Sequence, residues 1–141
     1  MYEQLKLDNQ VCFRIYTASR LITQAYRPLL EPLGLTYPQY LVMLVLWEQD
    51  NLTVNEIGKK LALDSNTLTP VLKRMEEDAL IVRSHGIVDA RQTLVSLTKK
   101  GRHLESLAAD VPQCLAQHWQ GEPLTDFTRV LDEMIETLKA K

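Results

Sequence analysis

Residues 52–84 read LTVNEIGKKLALDSNTLTPVLKRMEEDALIVRS, and this stretch decides the fold. Thr53 and Glu56 have the spacing of a capping box, because a hydroxyl and a carboxylate three residues apart satisfy each other's backbone N–H groups. We therefore predict a short helix over about residues 54–62. After a tight connection at Leu63 and Asp64, a second helix is indicated by one apolar stripe, which consists of Leu68, Leu72, Met75 and Ala79.

The opposite side of this second helix carries polar and small residues, so it is free to contact something outside the core. Pro70 lacks the N–H that would bond to Asn66, which predicts an irregular start to the helix. The candidate contact residues on this side and on the preceding helix are Lys60, Ser65, Asn66, Thr67, Thr69 and Lys73. The alternative interpretation is an ordinary solvated helix face.

Two strands are predicted next, because LIVRS (80–84) and RQTLVSL (91–97) alternate apolar and polar residues. The intervening HGIVDA (85–90) closes them into a hairpin. Two short helices followed by a hairpin is the order of a winged helix-turn-helix, whose second helix fits the major groove of DNA. The predicted fold class is therefore mainly α with one β-hairpin.

The predicted hairpin loop carries Asp89 and Arg91. An arginine at such a tip can enter a narrow minor groove, where the negative potential is enhanced. An aspartate two residues earlier can hold its guanidinium in position. The alternative is a surface ion pair that contributes almost nothing to stability.

Charge is distributed unevenly along the chain, although the formal net charge is only -2. Nine Lys or Arg and five acidic residues lie between Lys59 and His103, whereas the remaining stretches hold seven basic and thirteen acidic residues. Because basic residues attract phosphates, the middle of the chain is where a polyanion such as double-stranded DNA would bind.

Further helices flank this region. We expect Asp8 to cap a first helix, Thr36 to cap a second that runs through Leu46, and Thr98 to cap a long one that bends at Pro112 and continues to about residue 119. A final helix is expected from about Thr125 to Lys139. The apolar faces of the first and last helices are formed by Val11, Ile15, Ala18, Ile22, Ala25, Tyr26 and Leu29, and by Phe127, Val130, Leu131, Met134, Ile135 and Leu138.

These apolar faces predict a homodimer, because a small winged core cannot cover so much apolar surface by itself. The alternative is that both helices pack on their own domain. A two-fold dimer presents two recognition helices about 34 Å apart, so the operator is expected to be a near-palindrome. We expect a single domain over residues 1–141, with dimerisation helices at about 1–35 and 104–141 and a DNA-binding region at 36–103.

Composition narrows the class of protein. With 45% hydrophobic and 24% charged residues, the 141-residue chain is expected to be globular. The longest apolar run, Leu41 to Trp47, is too short to span a bilayer, and no leader pattern precedes it, so we expect a cytoplasmic protein without membrane contact. Two scattered cysteines do not form a metal motif, and a zinc site from Cys114 and His118 is the disfavoured alternative. No metal and no cofactor are expected.

Three stretches carry a family resemblance: DNQVCFRIYTASRLITQAYRPLLEPLGLTYPQYLVMLVLWE (8–48), LDSNTLTPVLKRMEEDALIVR (63–83) and the Asp-x-Arg of VDARQTLVSLTKKG (88–101). Together and in this order they resemble the MarR family of dimeric winged-helix regulators, and within it the organic-hydroperoxide-sensing repressors. The similarity runs from about Leu7 to Gly101, and the C-terminal helices match only in character.

This resemblance implies roles for four residues. Cys12 matches the family's peroxide-sensing cysteine, and Tyr26 and Tyr37 match two tyrosines that hold its thiolate from the partner subunit. Cys114 resembles the second cysteine of a two-cysteine subgroup, which resolves the oxidised sensor as an intersubunit disulfide. The surroundings of Cys114, DVPQCLAQHW, match no close motif.

The residues around Cys12 also support this chemistry independently of the family resemblance. The first turn of a helix favours an anion, here the thiolate, and Tyr16 is within reach four residues later. A thiolate attacks a peroxide to give a sulfenic acid, which a second thiol converts to a disulfide. The alternative is that Cys12 is an inert core residue.

The predicted function is a redox-responsive regulator, most simply a repressor, that leaves its operator when organic peroxide oxidises Cys12. A rival hypothesis is a repressor controlled by a small phenolic or acidic ligand in a cleft of the dimer. A thiol peroxidase is the third hypothesis, but the sequence offers no evident base or substrate pocket, so we predict that the protein is not an enzyme.

Overall fold

A computed structural model of the chain describes residues 1–86, 89, 91–116 and 122–139. The described residues divide into two compact units, Met1–Ala109 and Asp110–Lys141. The first unit contains helices α1 (Val11–Leu30), α2 (Tyr37–Glu48), α3 (Val54–Leu61), α4 (Ser65–Glu77) and α5 (Lys99–Ala108), with strands β1 (Leu52–Thr53), β2 (Ile81–His85) and β3 (Thr93–Leu97). The second unit contains α6 (Val111–Ala116) and α7 (Glu122–Lys139). The mainly helical fold class is confirmed.

Helices α3 and α4 form the predicted helix-turn-helix. The capping box is present, because the Glu56 N–H donates to the Thr53 hydroxyl at 3.1 Å and the Thr53 N–H donates to the Glu56 carboxylate at 3.3 Å. The turn is tight: the N–H of Leu63 donates to the carbonyl of Gly58 at 2.9 Å. A side chain at Gly58 would approach the Leu63 carbonyl to 2.7 Å, so glycine is required there.

The second helix of the motif, α4, begins at an aspartate cap. The Thr67 N–H donates to the Asp64 carboxylate at 2.8 Å, and this bond lowers the pKa of Asp64 below its ordinary value of 3.8. The irregular start expected from Pro70 is wrong, since the helix is continuous from Ser65 to Glu77. One missing N–H is tolerated because only one helical bond is lost.

The apolar stripe of α4 is confirmed at Leu68, Leu72 and Met75, whose side chains are fully buried. Ala79 was predicted to extend this stripe, but it lies beyond the helix and is exposed. Its φ of 61° is left-handed, which reverses the chain so that Leu80 and Ile81 enter the core instead.

The wing is a three-stranded antiparallel sheet in the order β1-β3-β2. The predicted hairpin is confirmed, with Ile81 opposite Leu97 and His85 opposite Thr93. Strand β1 adds Leu52 opposite Val95, which the sequence analysis missed because two residues are too short for an alternating pattern. The predicted connection 85–90 includes residues 87, 88 and 90, which lie outside the described part of the chain.

Helix α5 is fastened to the rest of the first unit at several points. The Trp47 indole N–H donates to the Gly101 carbonyl at 3.0 Å. Asp50, just after α2, accepts from the backbone N–H of Leu97 at 2.9 Å and from Arg102 at 2.9 Å. A side chain at Gly101 would collide with the Leu80 carbonyl, so α5 packs directly on the backbone at the start of β2.

Helix boundaries in the flanking regions differ in part from those expected. Thr36 and Thr98 cap α2 and α5 as predicted. Asp8 does not cap α1, because it lies in a 3-10 turn, Leu7–Asn9, and the residue before α1 is Gln10.

The long helix predicted after Thr98 is also wrong, because α5 ends at Ala108 and α6 begins at Val111. Pro112 is therefore the second residue of a new helix, where a proline is well tolerated, rather than the site of a bend. The final helix begins at Glu122, earlier than expected, with Pro123 in its first turn.

Apolar side chains on the outer helices are left uncovered. Of the twenty residues of α1, only Leu30 is buried. In the second unit, Phe127 is 55% exposed and Leu138 is 63% exposed. Exposed apolar faces of this size are typical of protein interfaces.

Within the described residues, no single helix is long and apolar enough to cross a membrane. Only the pair Val11–Leu33 and Tyr37–Glu48, bent by 68°, reaches that length and hydropathy when the two helices are taken together.

Removal of the capping hydroxyl in Thr53→Ala is expected to lower the free energy of unfolding by about 1 kcal/mol, because α3 loses its N-terminal acceptor. Chemical denaturation of the purified protein measures this loss. Thr53→Ser keeps the hydroxyl and is the matched control, so an equal loss in both variants would show that the cap is not responsible.

The depressed pKa of Asp64 predicts a pH-dependent contribution to stability. Because the folded pKa lies below 3.8, the contribution is present above that pH and is lost as the pH falls through the folded value. Denaturation at a series of pH values, with Asp64→Asn as the comparison, should show the stability difference shrink in acid. A difference that stays constant from neutral to strongly acidic pH would contradict this.

Candidate functional site

An open groove of about 540 Å³ lies between the start of α4 and the hairpin. Ser65 and Thr69 line it from α4, whereas Asp89 and Arg91 line it from the loop between β2 and β3. The structure thus brings together four of the predicted contact residues. The groove also contains Asn55, Arg83, Gln92 and Thr93, which the sequence analysis did not single out.

Arg91 is held by Asp89 through three hydrogen bonds. The Arg91 backbone N–H donates to Asp89 Oδ1 at 2.9 Å, Nε donates to the same oxygen at 3.2 Å, and Nη2 donates to Oδ2 at 3.4 Å. The backbone bond first, and then the guanidinium, hold the pKa of Asp89 below its usual range. The Arg91 side chain is 92% exposed, so the loop presents a positioned cation to the solvent.

Two backbone bonds close this loop. The N–H of Gly86 donates to the Gln92 carbonyl at 2.9 Å, and the N–H of Gln92 donates to the Asp89 carbonyl at 3.0 Å. A side chain at Gly86 would approach the Asp89 carbonyl to 2.7 Å. The loop therefore depends on glycine for its closure.

A second ion pair, Glu76 with Arg83, joins α4 to β2. Arg83 donates from its backbone N–H to Glu76 Oε2 at 2.9 Å and from Nη2 to Oε1 at 3.1 Å. The backbone bond is the main cause of the lowered pKa of Glu76, and the guanidinium bond adds to it. This pair fixes the angle between the helix and the hairpin on the two sides of the groove.

The remaining predicted contact residues lie on the same two helices. Lys60 on α3 and Asn66, Thr67 and Lys73 on α4 are all exposed, although none of them lines the groove itself. The Thr69 hydroxyl donates back to the Ser65 carbonyl at 2.6 Å, so its free capacity is that of an acceptor.

Cys12 is the second residue of α1 and is exposed. It is therefore not a core residue of the single chain, contrary to that part of the alternative interpretation. Tyr16, one turn later, is also exposed. The preceding Gln10 makes no side-chain cap to α1, so the N–H groups of the first turn have no side-chain partner at the N-cap position.

The two tyrosines expected to hold the thiolate contact each other. The rings of Tyr26 on α1 and Tyr37 on α2 lie 4.9 Å apart. Tyr40, which the sequence analysis did not single out, completes the cluster at 5.7 Å from Tyr26 and is almost fully buried. Burial raises the pKa of all three phenols, so they remain protonated donors at neutral pH.

Within one chain the cysteine and this tyrosine cluster are far apart. Cys12 and Tyr26 are on the same continuous helix, and a separation of fourteen residues corresponds to about 21 Å along its axis. Hydrogen bonds between them are therefore excluded inside a single subunit, and only a second copy of the chain can bring the tyrosines to the thiol.

Cys114 is exposed on α6, in the second unit. His118, considered above as its zinc partner, lies outside the described residues. In the part of the chain that the structure describes, no three His, Cys, Asp or Glu side chains cluster as a metal site.

Comparisons with known proteins agree with this geometry. Residues 24–106 match the family described as transcriptional regulator SarA/Rot. The chain is 45% identical, over 99% of its length and 97% of the relative's, to the organic hydroperoxide resistance transcriptional regulator of Bacillus subtilis (strain 168).

Solved structures show the same fold. AbfR of Staphylococcus epidermidis, reduced and bound to DNA, superposes with a TM-score of 0.83 at 37% identity, covering 96% of each chain. AbfR has also been solved overoxidised and bound to DNA, and in a disulfide form. A MarR-family regulator from Rhodococcus sp. RHA1 superposes with a TM-score of 0.71 at 25% identity, covering 96% of this chain and 94% of its own.

These matches confirm the predicted winged helix-turn-helix and the resemblance to organic-hydroperoxide regulators, whereas the two-cysteine type stays a prediction. The chain belongs to the SarA/Rot family of transcriptional regulators and shares the winged-helix fold of MarR-type proteins.

Proposed function

We propose that this protein is a homodimeric, redox-responsive repressor that binds a near-palindromic operator and leaves it when an organic peroxide oxidises Cys12. One observation carries the proposal: Cys12 is an exposed thiol in the first turn of α1. The similarity to a regulator named for organic hydroperoxide resistance supports the same conclusion.

The exposed side of α4, together with the groove between α4 and the hairpin, is the proposed reading surface. Asn66, Thr67, Thr69 and Lys73 contact bases in the major groove, because they lie on the exposed side of α4. Ser65 and Lys60 contact phosphates at its edge. Arg91, already oriented by Asp89, enters the adjacent minor groove. AbfR, which shares this fold, has been solved bound to DNA, and this supports DNA as the partner.

The second copy of the chain covers the exposed apolar faces of the outer helices. A dimer also resolves the separation of about 21 Å between Cys12 and Tyr26, because the partner subunit supplies its own tyrosine pair. The phenol hydroxyls of Tyr26 and Tyr37 then donate to the thiolate, with Tyr16 adding a donor from the same chain.

Oxidation proceeds in two balanced steps. The Cys12 thiolate attacks a peroxide oxygen, the O–O bond breaks, and the alkoxide takes a proton from water, which leaves a sulfenic acid and an alcohol. The Cys114 thiolate of the partner subunit then attacks the sulfenic sulfur and expels hydroxide, so that an intersubunit disulfide forms. Cellular thiols reduce this disulfide by exchange.

We place DNA release at the disulfide step. Overoxidised AbfR has been solved on DNA, which indicates that overoxidation is compatible with DNA binding in that relative. A covalent link between subunits instead forces the two reading heads into another arrangement. The protein is consumed and regenerated stoichiometrically in this scheme, so it is not an enzyme, and it acts in the cytoplasm where its operator is.

The proposed role of Cys12 predicts the behaviour of a serine variant in equilibrium DNA binding. Cys12→Ser is expected to bind the operator with unchanged affinity and to lose its response to cumene hydroperoxide, because no sulfur is left to oxidise. An unchanged peroxide response in this variant would overturn thiol sensing and favour control by a bound small molecule.

Cys114→Ser is expected to form sulfenic acid at Cys12 yet to give no covalent dimer on a non-reducing gel. The wild-type protein, treated identically, should give a dimer band that a thiol reductant removes. A dimer band that persists in Cys114→Ser would show that another pairing, such as Cys12 to Cys12, links the subunits.

Arg91→Ala is expected to weaken operator binding about tenfold, or about 1.4 kcal/mol, because a positioned minor-groove cation is lost. Fluorescence anisotropy at one fixed salt concentration measures the affinity. Arg129→Ala, which removes an exposed arginine on α7, is the control for net charge. Equal losses in both variants would exclude a specific contact by the wing.

A further inference from the structure

The first ten residues have no hydrophobic anchor. None of them is buried, although they form two successive 3-10 turns, Glu3–Leu5 and Leu7–Asn9. Their order therefore depends on hydrogen bonds, and an exposed hydrogen bond contributes only about 1 kcal/mol to stability.

Backbone bonds within the two turns and an ion pair between Lys6 and Glu3 supply part of this order. Three side chains add further bonds, and we call them the N-terminal clasp: Asn9, Gln10 and Arg14. Asn9 donates to the Glu3 carbonyl at 2.6 Å, and Gln10 donates to the carbonyls of Gln4 at 2.7 Å and Lys6 at 3.0 Å. Each of these bonds runs from a side chain just before α1 back to a backbone carbonyl earlier in the chain.

Arg14 forms the central part of the clasp. Its Nη2 donates to the Asp8 carbonyl at 2.7 Å and its Nη1 donates to the Gln10 carbonyl at 2.9 Å. The guanidinium thus joins the first turn of α1 to the second 3-10 turn and to the N-cap residue that follows it. Arg14 lies one helical turn after Gln10, and Cys12 lies between these two residues.

This arrangement replaces the usual N-cap. Helices α2, α3, α4 and α5 each begin with a side chain that accepts a bond from the first turn. At α1 the N-cap residue is Gln10, whose side chain points back to the 3-10 turns instead. A helix end without a cap frays, so the turn that contains Cys12 needs support from elsewhere.

We propose that Arg14 is a positioning residue for Cys12, which keeps the first turn of α1 helical and thereby keeps the thiolate at the end of the helix dipole. The inference rests on the proposed role of Cys12 as the oxidised thiol. Fraying of this turn separates the sulfur from the aligned N–H groups, so the attacking sulfur loses their favourable interaction and the reaction with peroxide slows.

The test uses the full-length protein with Cys114→Ser, so that only Cys12 reacts. Arg14→Met keeps the length and helix propensity of the side chain but removes its hydrogen bonds. Two measurements follow: hydrogen exchange of the amides of residues 14–16, and the rate at which Cys12 reacts with iodoacetamide and with cumene hydroperoxide. Arg20→Met is the matched control. Arg20 is exposed on the same helix, and its side chain makes no hydrogen bond or ion pair among the described residues.

Arg14→Met is expected to raise exchange at these amides and to slow both reactions of Cys12 roughly threefold, the size of a helix-dipole effect at an exposed site. Arg20→Met should change neither. Unchanged rates in Arg14→Met, or the same slowing in Arg20→Met, would overturn the proposal.

A rescue variant separates positioning from the charge of the guanidinium. Gln10→Ser places an ordinary N-cap before α1, so in the Arg14→Met background it should restore both the amide protection and the rates of Cys12. Restored protection with rates that stay slow would mean that the arginine acts on the sulfur through its charge, and would reject the positioning role.

The proposed function fails separately from this inference. If Cys12→Ser still leaves the operator on treatment with peroxide, sensing through Cys12 is wrong whatever Arg14 does. The alkylation and exchange measurements need neither DNA nor release from it, so they test the clasp by themselves.

Discussion

The length of one helix constrains the chemistry of the whole protein. Cys12 stands at one end of α1 and Tyr26 near the other, and a continuous α-helix cannot shorten the distance between them. In the proposed mechanism, the phenol donors to the Cys12 sulfur must therefore come from another subunit. The apolar face of the same helix is uncovered in the single chain. Helix α1 therefore supplies both the apolar surface that favours a dimer and the separation between Cys12 and Tyr26 that requires one.

Two ion pairs position the elements around the proposed reading surface, although they contribute little to the stability of the fold. The Glu76–Arg83 and Asp89–Arg91 pairs are partly or largely exposed, and pairs of this kind contribute little to the free energy of unfolding. In both pairs a backbone N–H shares the carboxylate with the guanidinium. The backbone is thereby fixed together with the side chain, which sets where α4, β2 and the loop stand around the groove.

Local signals were predicted correctly from the sequence where a bond spans three or four residues. Thr36, Thr53 and Thr98 were identified as caps because each threonine directly precedes a helical pattern, where its hydroxyl can accept from a backbone N–H of the first turn. Asp8 failed by the same reasoning, since the long side chains of Gln10 and Arg14 took over the junction and moved the start of α1 to Val11. Within the candidate site, the Asp89–Arg91 pair could be predicted from the sequence, because its two residues are only two positions apart. The Glu76–Arg83 pair could not be predicted, because it depends on the left-handed turn at Ala79 between its two residues.

Asp50, Trp47 and Gly101 tie the end of α2, the last strand of the wing and the start of α5 into one block. We expect segments bonded to one another in this way to move together as one unit when the subunits rearrange. In the proposed mechanism, oxidation of the sulfur then changes the distance between the two DNA-binding regions and leaves each region's own structure unchanged. An operator with a fixed half-site separation fits only one of the two distances.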